Sequence, residues 1–300
     1  MGRQLGKRLA ELTDRYRANL ADFAPENYAL LVVDEAQVGV WNWQKPPYDG
    51  AQVNLQRRQF ILSGVPWKAV LFSDLMKHPE LLRHKVIYFM NAMRLDDAQI
   101  RFLKEKVLKD GRFVIFSGPV GIVSEKGFGP AAAQRLFGGR FKVETEAADL
   151  QGVCTGFFPE IKGERYGIHH HRAYPDFLLP EGKTDAEVFA KLPDGRDAAL
   201  YWQKPDCRIL WTAVPTMNSR ILRALARRHG LPVIADGDDA VYTGHGCIGI
   251  HAAYDGVKKL RMLAPGSVRE IMTDRVLTPK EGFVELPMTR GETRIFVPAE

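Results

Sequence analysis

Short apolar runs alternate with helical patterns between residues 28 and 145. Each run is typical of a buried strand, and each ends at polar or turn-forming positions. The runs cover residues 28–33, 67–72, 85–89, 113–116 and 141–144. Strands that alternate with helices in this way predict an α/β protein with a mostly parallel sheet. We therefore expect a flavodoxin-like three-layer sandwich.

The helix after the third run has the most explicit start signal in the chain. Asp96 is followed three positions later by Gln99, which is the spacing of a capping box, and Leu95 and Ile100 flank it as a hydrophobic staple. Asp110, with the glycine after it, ends this helix. The pattern predicts a helix that begins at Asp96 with both capping hydrogen bonds formed.

An apolar stripe at helical spacing precedes the first strand, with Arg and Lys between its members. It consists of Leu5, Leu9, Leu12, Tyr16 and Leu20. The stripe predicts an amphipathic helix, and we assign residues 1–26 to a linker of this kind. Such a helix folds back on its own domain, continues from an upstream domain, or docks on another subunit.

The second half of the chain changes character twice. Residues 148–196 are rich in Gly, Pro and His and predict a loop-rich insertion over one end of the sheet. Strand patterns at 198–201 and 207–212 and a helix ending at Gly230 complete an α/β domain over residues 27–236. Short strand patterns separated by turn residues then predict a small antiparallel β region over 237–300.

Composition limits the partners that we expect. The 300 residues carry a net charge of +6, but Lys and Arg are scattered and no recognition motif accompanies them, so we expect no nucleic-acid partner. No apolar stretch approaches the ~20 residues of a membrane span, so we expect no membrane partner. Cys154, Cys207 and Cys247 form neither a disulfide framework nor a zinc pattern, which is typical of reduced thiols in a cytoplasmic protein. We expect no cofactor.

Polar residues follow the apolar runs, and they are the first candidate site. Asp34 and Glu35 follow the first run, Asn91 follows the third, and Ser117 with Gly118 follows the fourth. In a parallel sheet these positions share one edge, where a binding crevice is expected. The alternative is that they serve as helix caps and turn formers.

Ser117 lies where a nucleophile elbow would place its serine. The hydrolase elbow has glycine two positions before the serine, whereas this chain has Ile115. Gly118 could offer its N–H to an oxyanion, but Pro119 has none to add. The pattern therefore argues against Ser-His-Asp chemistry here.

Two further segments contain candidate ligand-binding side chains. Trp41 and Trp43 lie in a proline-containing loop, either as platforms for sugar rings or partner side chains, or as plugs that hold the loop on its domain. His169 and His171 share one side of an extended segment and could form a lid. Without a Cys-rich or HExxH partner they are a weak metal signal, and we expect no metal site.

Several stretches carry a resemblance to a known family. They are VVDEAQ, SGVPWKAVLFSDL, NAMRLDDAQ with the helix and strand that follow it, and IHAAYDGVKKL. Together they resemble the glutamine-amidotransferase-like domain of the β-galactosidase trimerisation type, with the small β region that follows it. In that family the domain comes after a glycosidase catalytic barrel and helps subunits assemble. The nucleophilic Cys of class I amidotransferases has no counterpart beside Ser117, so the resemblance argues against amidotransfer.

Two functions follow from the sequence. The first is a non-catalytic assembly or accessory domain associated with a β-galactosidase-like glycoside hydrolase in carbohydrate metabolism. Its partner would be another copy of the chain, in a homo-oligomer, or an upstream glycosidase catalytic domain. The alternative is a free-standing enzyme or sugar-binding protein that uses the crevice at the strand ends.

Overall fold

A computed structural model describes residues 28–36, 50–146, 150–167, 176–244, 247–263 and 265–299, together with the isolated positions Ala10 and Asp14. These residues fall into two compact units. The larger unit lies within Asn27–Gln59 and Trp67–Leu231, and the smaller within Phe60–Pro66 and Pro232–Glu300. Of the predicted helix over 1–26, only Ala10 and Asp14 are described, and both are helical and exposed.

The strands of the larger unit are mostly short, and its central strands are fully buried. They are β1 (Ala29–Val33), β2 (Trp67–Leu71), β3 (Val86–Phe89), β4 (Arg112–Ser117), β5 (Val123–Ser124), β6 (Gly127–Phe128), β7 (Phe141–Glu144), β8 (Gln151–Cys154), β9 (Arg165–Gly167), β10 (Phe177–Pro180), β11 (Glu187–Lys191), β12 (Asp197–Gln203) and β13 (Cys207–Thr212). β5 pairs with β6 and β7 with β10 in separate two-stranded sheets.

Helices connect these strands. They are α1 (Gln56–Ser63), which continues a π-helical segment at Gly50–Leu55, α2 (Phe72–Lys77), α3 (Asp97–Phe102), which runs on as a π-helical segment at Leu103–Val107, α4 (Ala131–Phe137) and α5 (Ser219–Arg228). Short 3-10 turns lie at Pro79–Arg83 and Pro159–Ile161.

One nine-stranded sheet forms the centre of the larger unit, in the order β2-β1-β3-β4-β13-β12-β11-β8-β9. The first five strands pair in parallel, and the remaining four pairings are antiparallel. The protein is thus mixed α/β, and the predicted mostly parallel sheet is not confirmed. The physical reason is that the chain between β8 and β13 turns back on itself without crossover helices, so its strands must pair antiparallel.

Residues 150–191, within the predicted loop-rich insertion, contribute three strands to this same sheet, namely β8, β9 and β11. Their runs are only three to five residues long. Short runs among Gly and Pro resemble loops in sequence, because a strand is stabilised by packing against its neighbours in the sheet more than by the preferences of its own residues. The sheet therefore extends further than the sequence pattern indicates.

The start signal of α3 is confirmed. The Asp96 carboxylate accepts a hydrogen bond from Gln99 N at 2.7 Å, and Asp96 N donates to Gln99 Oε1 at 2.9 Å. Both halves of the capping box are formed, so two donors of the first helical turn are satisfied.

The smaller unit contains seven antiparallel strands and its own core. They are β14 (Ala240–Gly244), β15 (Cys247–His251), β16 (Gly256–Arg261), β17 (Val268–Glu270), β18 (Arg275–Leu277), β19 (Phe283–Met288) and β20 (Thr293–Pro298). Five form a sheet in the order β14-β15-β20-β17-β18, and β16 pairs with β19. Ile250, Leu260 and Phe296 are buried at the centre of this unit. The predicted C-terminal antiparallel β region is present.

Two features of the described residues bear directly on function. None of their helices has both the length and the hydrophobicity needed to cross a bilayer. They also contain no group of three His, Cys, Asp or Glu side chains placed to hold a metal ion. The thiols of Cys154, Cys207 and Cys247 are free.

Candidate functional site

The ends of β1 and β3 meet where the strand order of the parallel half changes direction. The chain passes from β1 to β2 on one side and places β3 on the other side of β1. In open α/β sheets such a reversal leaves a crevice beyond the carboxyl ends of the two strands. Asp34 follows β1 at this position, and Asn91 lies just beyond β3.

The structure brings Asp34 and Asn91 together. Asp34 N donates a hydrogen bond to Asn91 Oδ1 at 2.7 Å, and Asn91 Nδ2 donates to the Asp34 carbonyl at 3.2 Å. Both residues are buried. The Asn91 side chain thus joins the two strand ends by hydrogen bonds to the Asp34 main chain. The Asp34 carboxyl takes no part in these two hydrogen bonds.

The Asp34 carboxyl is unusual in its environment. The residue is 3% exposed, and Oδ1 accepts a hydrogen bond from Ala36 N at 3.1 Å. Oδ2 is buried and has no hydrogen-bond partner among the described residues. Burial raises the pKa of this carboxyl from 3.8 to about 6, although the Ala36 N–H acts in the opposite direction. A carboxyl of this kind can exchange a proton near neutral pH, which is a common property of functional sites.

Glu35 does not share this environment. Burial raises the pKa of its carboxyl, but hydrogen bonds from Ser73 and from the backbone of Phe72 outweigh that effect and leave it below the usual value. Ser73 and Phe72 belong to the first turn of α2, so Glu35 binds the start of that helix. This contact matches the alternative that strand-end residues serve as caps.

The position of the nucleophile elbow is closed in the structure. Ser117 is 1% exposed, and the Gly118 N–H donates to the Thr212 carbonyl at 2.8 Å. Pairing with the end of β13 thus occupies the Gly118 N–H, the donor that could have faced an oxyanion. Gln52 Nε2 donates to the Ser117 carbonyl at 2.9 Å, and it lies 1.9 Å from where a Cβ on Gly118 would be.

Ser117 Oγ is also enclosed. It lies against Tyr88. Burial raises the pKa of the Tyr88 hydroxyl, and the Ser117 hydroxyl acts in the opposite direction. Oγ completes no hydrogen bond of regular geometry among the described residues. Ser117 Oγ is therefore buried against Tyr88 at the end of β4.

Three glutamines that no sequence motif singles out lie in this region, and we call them the glutamine ladder: Gln52, Gln56 and Gln59. Gln56 Oε1 accepts from Met217 N at 2.7 Å and from the Tyr88 hydroxyl at 2.9 Å. Its Nε2 donates to the Met217 carbonyl at 3.1 Å. The signal in the sequence is their spacing, since positions 52, 56 and 59 lie on one side of a helix.

The third glutamine extends the same set of contacts. Gln59 Oε1 accepts from Ser219 N at 3.0 Å, at the first residue of α5. The ladder thus holds the segment from Gly50 to Gln59 against the ends of β3 and β4 and the loop before α5.

The remaining predicted site residues lie outside the described residues. They are Trp41, Trp43, His169 and His171. Their roles as sugar platforms and as a lid stay predictions. Of the predicted site, the described residues bring together Asp34 and Asn91, and separately Ser117 and Gly118.

Comparison with known proteins gives a fold. No family model and no curated protein matches the sequence. The β-galactosidase from Bacillus circulans sp. alkalophilus superposes with a TM-score of 0.65 and 14% identity, over 99% of this chain and 44% of that one. The chain described here therefore has the fold of part of a β-galactosidase chain.

Two more solved structures give the same result. Gan42B, a GH42 β-galactosidase from G. stearothermophilus, matches with a TM-score of 0.60 and 14% identity, over 90% of this chain and 40% of that one. The β-galactosidase from the haloarchaeon Halorubrum lacusprofundi matches with a TM-score of 0.55 and 15% identity, over 92% and 40%. The chain therefore spans less than half the length of the β-galactosidases that it matches.

Proposed function

We propose that this chain is a non-catalytic accessory or assembly module associated with a glycoside hydrolase of the β-galactosidase kind. The observation that carries the proposal is the pattern of coverage. Nearly all of this chain, including both units, is matched within enzymes that are more than twice as long. The assembly or architectural role is inferred from this coverage by analogy at the level of the fold.

Two features of the larger unit support this proposal. The parallel strands follow the order β2-β1-β3-β4-β13, which is the flavodoxin-like order. The glutamine ladder closes the nucleophile position in that fold, with Gln52 bonded to the Ser117 carbonyl. Both features favour the trimerisation type of glutamine-amidotransferase-like domain, in which the fold is kept without amidotransfer. We further propose that the α/β domain spans 27–236 and the small β region 237–300.

Self-association and catalysis are measured on the same sample. We expect light scattering after gel filtration to give a multiple of the 33.8 kDa chain mass at micromolar concentrations. We expect no turnover of a panel of nitrophenyl glycosides, including the β-galactoside. A monomer at every concentration, without complex formation on addition of a glycosidase catalytic domain, contradicts the assembly role. Turnover that stays with the chain through repeated purification contradicts the non-catalytic one, whether or not Asp34→Asn abolishes it.

A second candidate function rests on Asp34. A buried carboxyl with an unfilled acceptor at a strand-order reversal is typical of a ligand site. We propose that, if the chain binds a sugar in the crevice, Asp34 accepts a hydroxyl hydrogen there. Calorimetric titration with galactosides tests this. Binding heat that is lost in Asp34→Ala and kept in Glu35→Gln supports a sugar site in the crevice. The absence of binding heat for every galactoside excludes it.

A further inference from the structure

A pocket of about 420 Å³ lies within the smaller unit. Its walls are the segment 233–239, the strand β16 with the turn before it, and the first residue of β19. Its side chains include Tyr254, Val257, Phe283 and Asp236. This volume is within the range of small-molecule sites, which combine apolar walls with a few polar groups.

Tyr254 forms a wall of this pocket and is fixed from two directions. The Lys258 ammonium lies 3.3 Å from the centroid of its ring. The tyrosine hydroxyl occupies the space beside Gly237, only 2.0 Å from where a Cβ would stand. The residue is nevertheless 48% exposed. An aromatic ring that is held in place and still open to solvent binds a ligand without first losing side-chain entropy.

The floor of the pocket is a closed ion pair. Lys258 Nζ lies 2.9 Å from Asp239 Oδ1, and both side chains are almost fully buried. The same oxygen accepts a hydrogen bond from Ala253 N at 2.8 Å. Because the ammonium and the carboxylate neutralise each other, the floor offers neither an uncompensated cation nor an uncompensated anion.

The lysine at the rim of the pocket is also paired with a carboxylate. Lys259 Nζ lies 4.7 Å from the centroid of the Phe283 ring and 3.5 Å from Glu285 Oε1. Asp236 is the exposed carboxylate of the lining. Lys258 pairs with Asp239 within the lining, and Lys259 pairs with Glu285 beside it, so neither ammonium group is left uncompensated. An anionic ligand gains little in such a site, whereas a ligand with hydroxyl groups can donate to the carboxylate oxygens.

We propose that this pocket binds one ring of a neutral carbohydrate. A pyranose has an apolar face of C–H groups, which fits the Tyr254 ring and the side chain of Val257. Its rim carries hydroxyl groups, which can donate to carboxylate oxygens such as those of Asp236, since a carboxylate has several acceptor positions. The site is separate from the strand-end crevice, and it does not depend on the proposed assembly role.

The full-length chain is tested by saturation-transfer NMR with methyl β-D-galactopyranoside and methyl β-D-glucopyranoside as probes. We expect at least one of them to bind, and Tyr254→Ala to weaken that binding by about tenfold or more, through loss of the ring contact. The matched control is Tyr242→Ala. Tyr242 is 56% exposed in the same unit and does not line the pocket, so its removal leaves the affinity unchanged.

Two further variants keep the test decisive if Tyr254→Ala is unstable. Val257 is 69% exposed, so Val257→Arg obstructs the pocket without touching the core, and we expect it to abolish binding. Gly237→Ala places a methyl group against the tyrosine hydroxyl and displaces the ring. Tyr254→Phe in that background removes the closest contact and is expected to restore part of the affinity.

Three results overturn the proposal. They are the absence of binding by both glycosides, binding that Tyr254→Ala and Val257→Arg leave intact, and pocket-dependent binding of choline in place of a sugar. Asp34→Ala serves as the internal reference, since it affects only sugar bound in the strand-end crevice. None of these results bears on chain mass or turnover, so the proposed function stands or falls separately.

Discussion

At the scale of single residues, Asp34 is the group whose environment departs most from what stability alone would select. Its Oδ2 is buried without a partner among the described residues, and burial raises its pKa to about 6. A group with this shift favours folding when protonated and opposes it when ionised. The cost is therefore absent at low pH and grows as the pH rises through about 6.

Replacing this carboxyl with an amide should stabilise the protein at neutral pH. We expect Asp34→Asn to raise the free energy of unfolding by about 1–2 kcal/mol at pH 7.5, and by much less at pH 4, where Asp34 is already protonated. Urea denaturation at the two pH values measures this. Glu35→Gln is the control with the opposite sign, because hydrogen bonds from Ser73 and Phe72 favour its ionised form. Equal stabilisation at both pH values would contradict the assignment.

Two histidines, the buried His84 and the half-buried His229, make the opposite contribution. Burial lowers the pKa of His84 and of His229 to about 4, so both are neutral in the folded protein at pH 7. Neither ring nitrogen of His84 has a partner among the described residues, and its ring lies 4.1 Å from that of Tyr28. Their stabilising effect is complete above about pH 6.5 and is lost as the pH falls towards 4.

Acid should therefore destabilise the larger unit before most carboxylates titrate. We expect each histidine to cost about 1–2 kcal/mol between pH 7.5 and pH 5. His84→Phe keeps an aromatic ring beside Tyr28 and should flatten this pH dependence. Chemical denaturation at several pH values provides the measurement. If the free energy of unfolding depends on pH as steeply in the double variant His84→Phe, His229→Phe as in the unchanged chain, the histidines are not responsible.

At the scale of elements, the glutamine ladder connects the first helical segment to distant strands. Gln56 alone satisfies three buried groups, namely Met217 N, the Met217 carbonyl and the Tyr88 hydroxyl. Burial without a partner costs each such group about 1–3 kcal/mol. The amide therefore decides whether this part of the unit is stable.

Removing that amide should be among the most damaging single changes. We expect Gln56→Leu to lower the free energy of unfolding by about 3 kcal/mol or more, although leucine has nearly the same volume. Gln59→Leu loses one hydrogen bond, to Ser219 N, and should cost about 1 kcal/mol. The two variants are compared by urea denaturation, and equal losses would show that volume rather than hydrogen bonding dominates.

At the scale of the whole molecule, each of the two units has its own core. Val114 is buried in the central strand of the larger unit, and Ile250 is buried in the smaller one. Units with separate cores commonly unfold in separate steps.

We therefore expect calorimetry to resolve more than one unfolding transition. Ile250→Ala should lower the midpoint of one transition and Val114→Ala that of the other, because each leaves a cavity that costs about 2–4 kcal/mol. A single transition that both variants shift equally would show that the units unfold together.

The sequence by itself determined the features that depend on local chemistry. The alternation of apolar runs and helical spacing identifies β1, β3, β4 and β13, because a buried strand needs apolar side chains on both faces. The capping box at Asp96 is equally local, since its two hydrogen bonds join residues three positions apart. Even the adjacency of Asp34 and Asn91 follows from strands that end at one edge of the sheet.

Only the tertiary structure decided which partners these groups have. The Gly118 N–H donates to the Thr212 carbonyl, and Gln56 binds Met217, which lies 161 positions away. Both contacts depend on pairings that no local pattern encodes. The same holds for β8, β9 and β11, whose short runs become strands only beside their neighbours. The tyrosine in IHAAYDGVKKL is one more example: Tyr254 becomes a pocket wall because Gly237 and Lys258 hold it there. Burial and hydrogen bonding between distant residues are properties of the folded chain, and they turn a candidate nucleophile into a closed strand end.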